Sequence, residues 1–228
     1  MCNRYETVDR ERLKFRFRVE VDQDLSWPDV MAPLRAGPYI RAGGHVDVGQ
    51  WGLIPPSSPT RRPATPDGKP LSTNNARRER LASAMTFRGA WRKGQRCLIP
   101  AESYDEPYWG TGKNIWWRFW RADGEPWALA GLWDTWTDKA TGEVVPSFTM
   151  ITQNCDGHPL LSLMHKPDPK LPADPQDKRC PVALEPADWD AWPHGSADQA
   201  QALIRVPALQ VFRHRPADPA VHFDLPMA

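Results

Sequence analysis

A chain of 228 residues has room for one large domain or two small ones, with a substantial buried core. With 40% hydrophobic and 25% charged residues it is not a disordered chain, and 29 basic against 28 acidic side chains exclude a generally polycationic protein. The 25 prolines, roughly double the usual share, argue against long helices, and 12 tryptophans are more than such a core usually takes, which places some on a binding surface. Cys2, Cys97, Cys155 and Cys180 form no C-x-x-C pair, so neither a zinc knuckle nor a thioredoxin-type motif is available. The opening Met-Cys-Asn-Arg-Tyr-Glu-Thr is too polar for a signal peptide, and the longest apolar run, residues 127–133, is far short of the ~20 residues that cross a bilayer. These features predict a soluble, cytoplasmic protein with reduced thiols, no metal and no cofactor.

In chain order, residues 15–21 alternate Phe15, Phe17, Val19 and Val21 with Arg16, Arg18 and Glu20, the pattern of a half-buried strand. Further strands are predicted at 50–54, 96–99, 115–120, 127–133, 147–152 and 209–212, separated by Gly, Pro, Asn and Asp turns. Residues 55–70, rich in Pro, Ser and Thr, read as an exposed loop. Short helices are predicted at 76–84 behind Asn74 and Asn75, at 159–165 ahead of Pro167, and at 187–192 after Pro186. Strands dominate without regular interleaving of helices. The fold expected is a single α+β domain over residues 1–228, built on a mainly antiparallel, barrel-like sheet.

Cys2 is the most informative position. Removal of Met1 exposes an α-amine and a thiol on adjacent carbons, with reference pKa values of about 8 and about 8.5. Such an aminothiol condenses with an aldehyde to an imine, and its sulfur then closes a thiazolidine ring. Residues 77–96 hold seven basic side chains against Glu79 alone, whereas residues 181–228 are net acidic, which suggests a basic face. Asn75 and Arg77 at the start of a short helix read either as a helix cap with a solvated arginine or as an anion site that would suit a phosphate. After the strand at 96, Glu102, Asp105 and Glu106 fall in a loop beside Tyr104, Tyr108 and Trp109, where partial burial would fit a carboxyl for general acid–base work. His165 closes the helix at 159–165. Trp116-Trp117-Arg118-Phe119-Trp120 reads either as a base-stacking platform or as a Trp-rich core strand.

Met1-Cys2-Asn3-Arg4-Tyr5, Trp51-Gly52-Leu53-Ile54-Pro55, Asn75-Ala76-Arg77, Arg96-Cys97-Leu98-Ile99-Pro100-Ala101 with Glu106 after it, Ala130-Gly131-Leu132-Trp133 and Met164-His165 stand in the order of a known family. From residue 1 to about residue 192 the chain resembles the SOS response-associated peptidase (SRAP) family; the remainder matches loosely. The resemblance implies a monomer that senses abasic sites in single-stranded DNA and associates with the nucleoid when bound to it. In such a protein the exposed Cys2 forms a thiazolidine crosslink with the ring-opened sugar, and strand cleavage by β-elimination and crosslink reversal compete with it. By motif, Cys2 is the nucleophile, Asn75 orients it, Glu106 is the acid–base group, His165 a second proton-transfer group, and Arg4 and Arg77 hold flanking phosphates. Asn3 stands where the family has glycine, and Pro107 where it has an aromatic residue. Two other readings of the same residues are an N-terminal-nucleophile amidohydrolase or peptidase using Cys2 with His165 and Asn75, and a non-catalytic single-strand binder.

Overall fold

The computed structural model describes residues 1–222 and 225. Its strands are β1 (Arg4–Thr7), β2 (Val30–Met31), β3 (Ala36–Arg41), β4 (Val46–Trp51), β5 (Asn75–Arg77), β6 (Arg96–Tyr108), β7 (Ile115–Arg121), β8 (Trp127–Thr137), β9 (Val144–Asn154), β10 (Arg179–Pro181), β11 (Ala183–Leu184) and β12 (Phe212–Pro216). Four short helices accompany them: α1 (Arg10–Phe17), α2 (Arg88–Arg92), α3 (Ala191–His194) and α4 (Ala197–Leu203). The ladder runs β8-β9-β4-β3-β6, and β6 pairs again with β8, so five strands close into a barrel. The pairings are antiparallel except β4 with β9 and β5 with β9. The expected α+β, barrel-like architecture is therefore present.

Both faces of the barrel wall are buried, which is why its strands carry near-continuous apolar runs rather than clean alternation. Cys97, Ile99, Leu129, Phe148 and Met150 belong to one core cluster together with Cys2 and Tyr5. Leu98, Ala128, Ala130, Leu132 and Ile151 belong to a second, which packs against Leu13 and Phe17 of α1, Ala90 and Trp91 of α2, Trp192 of α3 and Ala200 of α4. The wall is tight at Gly131: a Cβ there would stand 2.8 Å from the Cys97 sulfur and 2.9 Å from the Thr149 carbonyl oxygen.

Several elements differ from the sequence-based expectation. Residues 15–17 lie in α1, whose cap Asp9 accepts from the Arg12 amide at 3.0 Å and which buries Leu13 and Phe17 one turn apart. The helix ends at Arg18 in a left-handed conformation (φ 54°), leaving Phe15 85% exposed. The segment predicted as a helix over 76–84 is instead β5, laid parallel on β9, followed by a 3-10 turn over Arg78–Arg80. Ala76 is fully buried against the wall, a placement that a helix start would not give. Arg77 accordingly precedes a single 3-10 turn and not the α-helix expected there. The segment at 159–165 is reduced to the 3-10 turn Leu161–Leu163, and that at 187–192 to the turn Pro186–Asp188 followed by α3. Residues 209–211 also form a 3-10 turn, after which β12 begins.

Six of the twelve tryptophans (Trp51, Trp91, Trp117, Trp127, Trp136 and Trp192) are buried, so half of the indoles fill the core. Of the basic segment 77–96, one member turns inward. Arg96 is buried and donates to the backbone carbonyls of Trp192 and Gly195, tying α3 to the barrel.

Candidate functional site

β6 outruns the barrel. Its first half pairs with β8 and closes the ring, while its second half, from Tyr104 to Tyr108, pairs with β7. The acids expected in a loop are thus held in a strand. On its other edge β6 pairs with β1, Arg4 opposite Asp105 and Tyr5 opposite Tyr104, which brings the start of the chain beside Glu106.

Cys2 is fully buried, with its thiol 3.4 Å from the Arg4 carbonyl oxygen. Its own carbonyl accepts from the Asn75 amide at 2.7 Å and from the Asn74 amide at 3.4 Å. Asn74 also donates to the Asn3 side chain at 2.9 Å, so the residue that replaces the usual glycine is anchored. Burial, reinforced by Glu106, pushes the Cys2 thiol well above its ordinary range. Met1 covers this region. Its ammonium lies 3.0 Å from His165 Nδ1 and 3.9 Å from Glu106 Oε2.

Glu106 is 1% exposed, and neither of its carboxylate oxygens has a hydrogen-bond partner among the described residues. Burial raises its pKa to about 7, against the lowering pull of the terminal ammonium and with a further raise from Asp105. An unpartnered carboxyl that titrates near neutrality, deep in a protein and beside the chain's terminal nitrogen, is equipped to give and take a proton.

His165 is held in the left-handed region (φ 66°), a conformation costing about 1 kcal/mol for a residue with a side chain. Its amide donates to the Pro107 carbonyl at 2.6 Å, and its carbonyl accepts from the Lys178 ammonium at 2.7 Å. The ring is fixed by Nε2, which lies 2.7 Å from the Arg179 carbonyl oxygen; since that oxygen can only accept, Nε2 carries the hydrogen and Nδ1 faces the N-terminus as acceptor. Nε2 is also 3.5 Å from Glu106 Oε2. Burial and the neighbouring ammonium hold the imidazole neutral, with its pKa lowered to about 3.

Arg4 pairs with Asp105 at 3.2 Å, and Asp105 is gripped in turn by Arg118 through two oxygens, at 2.7 and 3.0 Å. Arg77 pairs with Asp177 at 2.9 Å at the rim of a cleft of about 230 Å³ that also holds Met1, His165, Lys178 and Arg179. Cys2, Asn75, Glu106 and His165 therefore gather around the N-terminus, with Arg4 and Arg77 on its flanks. Glu102 lies apart, paired with Arg12. Asn74, Lys178 and Arg179 are further parts of the site that the sequence did not point to. Their roles run through backbone carbonyls and neighbouring side chains, which leave no spacing signature. Among the described residues no group of His, Cys, Asp or Glu side chains is arranged to hold a metal ion, and no helix is long and apolar enough to cross a membrane.

Comparison with known proteins extends the resemblance past residue 192. Over 174 residues the chain is 25% identical to "Abasic site processing protein HMCES" of Gallus gallus, a match covering 61% of this chain and 48% of that protein. The chain thus spans about half the length of this curated relative. A crystal structure of a protein from Bordetella bronchiseptica superposes with a TM-score of 0.84 at 32% identity, over 95% of this chain and 100% of that one. One from Bacteroides thetaiotaomicron, 21% identical, shares the fold with a TM-score of 0.77, over 96% of this chain and 93% of the other. The model of the SOS response associated peptidase (SRAP) family matches residues 1–222, and the chain belongs to that family.

Proposed function

We propose that this protein senses abasic sites in single-stranded DNA and captures them covalently through Cys2 once Met1 has been removed. The observation that carries the reading is the buried Glu106 carboxyl, free of hydrogen bonds among the described residues, with its pKa raised to about 7 and lying 3.9 Å from the nitrogen of Met1, the residue whose removal exposes Cys2. The relative in Gallus gallus, named for processing abasic sites, supports the same reading.

An abasic deoxyribose is mostly a closed hemiacetal. Glu106 assists its opening by proton transfer at the ring oxygen, and the freed Cys2 amine then adds to the aldehyde carbon. Protonation of the resulting hydroxyl by the Glu106 carboxyl lets water leave and gives an iminium. The Cys2 sulfur adds to that carbon as its proton returns to Glu106, and the iminium nitrogen keeps its bonding pair as the thiazolidine ring closes. The net change is loss of one water. Holding amine, thiol and aldehyde together makes the capture effectively unimolecular. Asn75 keeps the Cys2 carbonyl in place, His165 offers a neutral acceptor at the entering nitrogen, and Arg4 and Arg77 balance the flanking phosphates. Loss of the C2′ proton from the iminium is the competing route to strand cleavage. A cysteine–histidine peptidase needs a thiol bonded to the imidazole; here the thiol faces the Arg4 carbonyl instead, which favours carbonyl capture.

Mature protein incubated with an oligonucleotide bearing one abasic site should give a heat-stable band of retarded mobility on a denaturing gel, and Cys2→Ala should give none. No such band from protein whose mass confirms loss of Met1 would overturn the assignment.

A further inference from the structure

The aromatic–arginine segment 116–120 splits by face. Trp117 and Phe119 point into the core, while Trp116, Arg118 and Trp120 lie on the other face of β7. β12 pairs alongside, with Arg213 opposite Trp120 and Arg215 opposite Arg118, and both of these arginines are exposed. Three guanidinium carbons crowd one indole: those of Arg213 and Arg215 lie 5.2 Å from the Trp120 ring centroid, and that of Arg118 lies 5.9 Å from it. Arg118 is neutralised by Asp105 and Glu6. Arg213 and Arg215 have no carboxylate partner among the described residues. Two cations with no carboxylate partner among the described residues, held side by side on an aromatic plate, repel each other, and a multivalent anion relieves that repulsion.

Register ties this plate to the site. Arg4, Asp105, Arg118 and Arg215 stand opposite one another on β1, β6, β7 and β12 in one row across the sheet. The row spans three strand spacings, roughly 15 Å. Its first member lies two residues from Cys2. A strand captured at Cys2 with a phosphate at Arg4 therefore has a second set of cations within a few nucleotides' reach, along the sheet face that carries Arg4, Arg118 and Arg215.

We propose that the β7–β12 face, through Arg213 and Arg215 braced on Trp120, binds the phosphate backbone of the DNA strand as it leaves the Cys2 cleft. This rests on the single-strand reading of the cleft. Trp120 acts here as a brace, its ring taken up by guanidiniums, and Trp116, 37% exposed, is the ring open to an unpaired base.

The test uses non-covalent binding, so that it does not depend on the crosslink. Fluorescence anisotropy would compare wild type with Arg213→Gln/Arg215→Gln on an intact strand of about fifteen nucleotides and on a trinucleotide, across a salt series. The double variant should bind the long strand about tenfold more weakly at low salt, with the salt slope flattened by about 1.4, or ~0.7 per lost phosphate contact. Binding of the trinucleotide and the yield of abasic-site crosslink at saturating DNA should be unchanged. Equal long-strand affinity in the two proteins overturns the proposal, as does an equal loss on the trinucleotide, which would place the effect in the cleft. A loss seen on anionic lipid vesicles and not on the strand would assign the face to a membrane and overturn it too. Failure of the wild type to crosslink, with the length-dependent loss intact, would sink the covalent chemistry and leave this face standing.

Discussion

Glu106 concentrates the chemistry in one side chain. With Met1 in place burial raises its pKa to about 7; capture as proposed needs this acid protonated while the freed α-amine, ordinarily near 8, is neutral. The crosslinking rate should therefore follow a bell with its maximum between those values, and Glu106→Gln should remove the high-pH limb assigned to the carboxyl while slowing formation about a hundredfold, read by quenched time courses. The same group has a cost for stability. Its folded pKa lies above the ordinary 4.5, so the folded state holds the extra proton and stability falls as pH rises from about 4.5 to about 7, then levels off. Glu106→Gln should thus stabilise the fold by about 3 kcal/mol at pH 8 and by little at pH 4, measured by urea unfolding. A variant that is equally or less stable at both pH values would refute the buried-charge account. The apolar neighbours Tyr104, Tyr108 and Trp109 made a partly buried carboxyl legible among Glu102, Asp105 and Glu106, and family spacing singled out Glu106; its complete burial in a strand was not legible, because Asp105 and Glu106 ahead of a proline read as a loop.

At the scale of elements, β6 explains both what the sequence disclosed and what it hid. The apolar start of β6 is plain, but Pro100 and Pro107 mark a break where the structure has none: Pro100 stands opposite Ala128 and Pro107 opposite Trp116 in a continuous strand. At residues 15–21 the strict alternation was real, yet the Asp9 cap and the Leu13–Phe17 spacing decided for a helix that stops within that stretch. Local pattern was outweighed by a capped turn with a wall to pack on. Asn75-Ala76-Arg77 is a comparable case: two asparagines suggested a cap, while burial of Ala76 on β9 made a strand. The close packing at Gly131 allows a direct check. Gly131→Val should cost about 3 kcal/mol or more in thermal or chemical unfolding, since its first side-chain atom already collides with Cys97, Ile99 and Thr149. A neutral result would mean the wall is less tightly packed than its contacts indicate.

For the molecule as a whole, fold class and barrel closure were within reach of the sequence, because strand-forming runs outnumber helical ones. The path by which β6 joins the ring to the N-terminus was not, since long-range register leaves no local trace. That path makes the start of the chain a structural part: Tyr5 is fully buried, and β1 is clamped between β2 and β6. An N-terminal tag that prevents exposure of the Cys2 amine should leave the melting temperature within a degree or two and abolish crosslinking. Retained crosslinking by a chain shown by mass to keep its tag would contradict capture through the amine. Because β1 is laced antiparallel to both neighbours directly after Cys2, a tug applied to a tethered strand along β1 loads this ladder in shear, so several backbone hydrogen bonds must fail at once rather than one after another. If Cys2 captures DNA as proposed, an anchorage of that kind should resist being peeled away by a machine travelling along the nucleic acid.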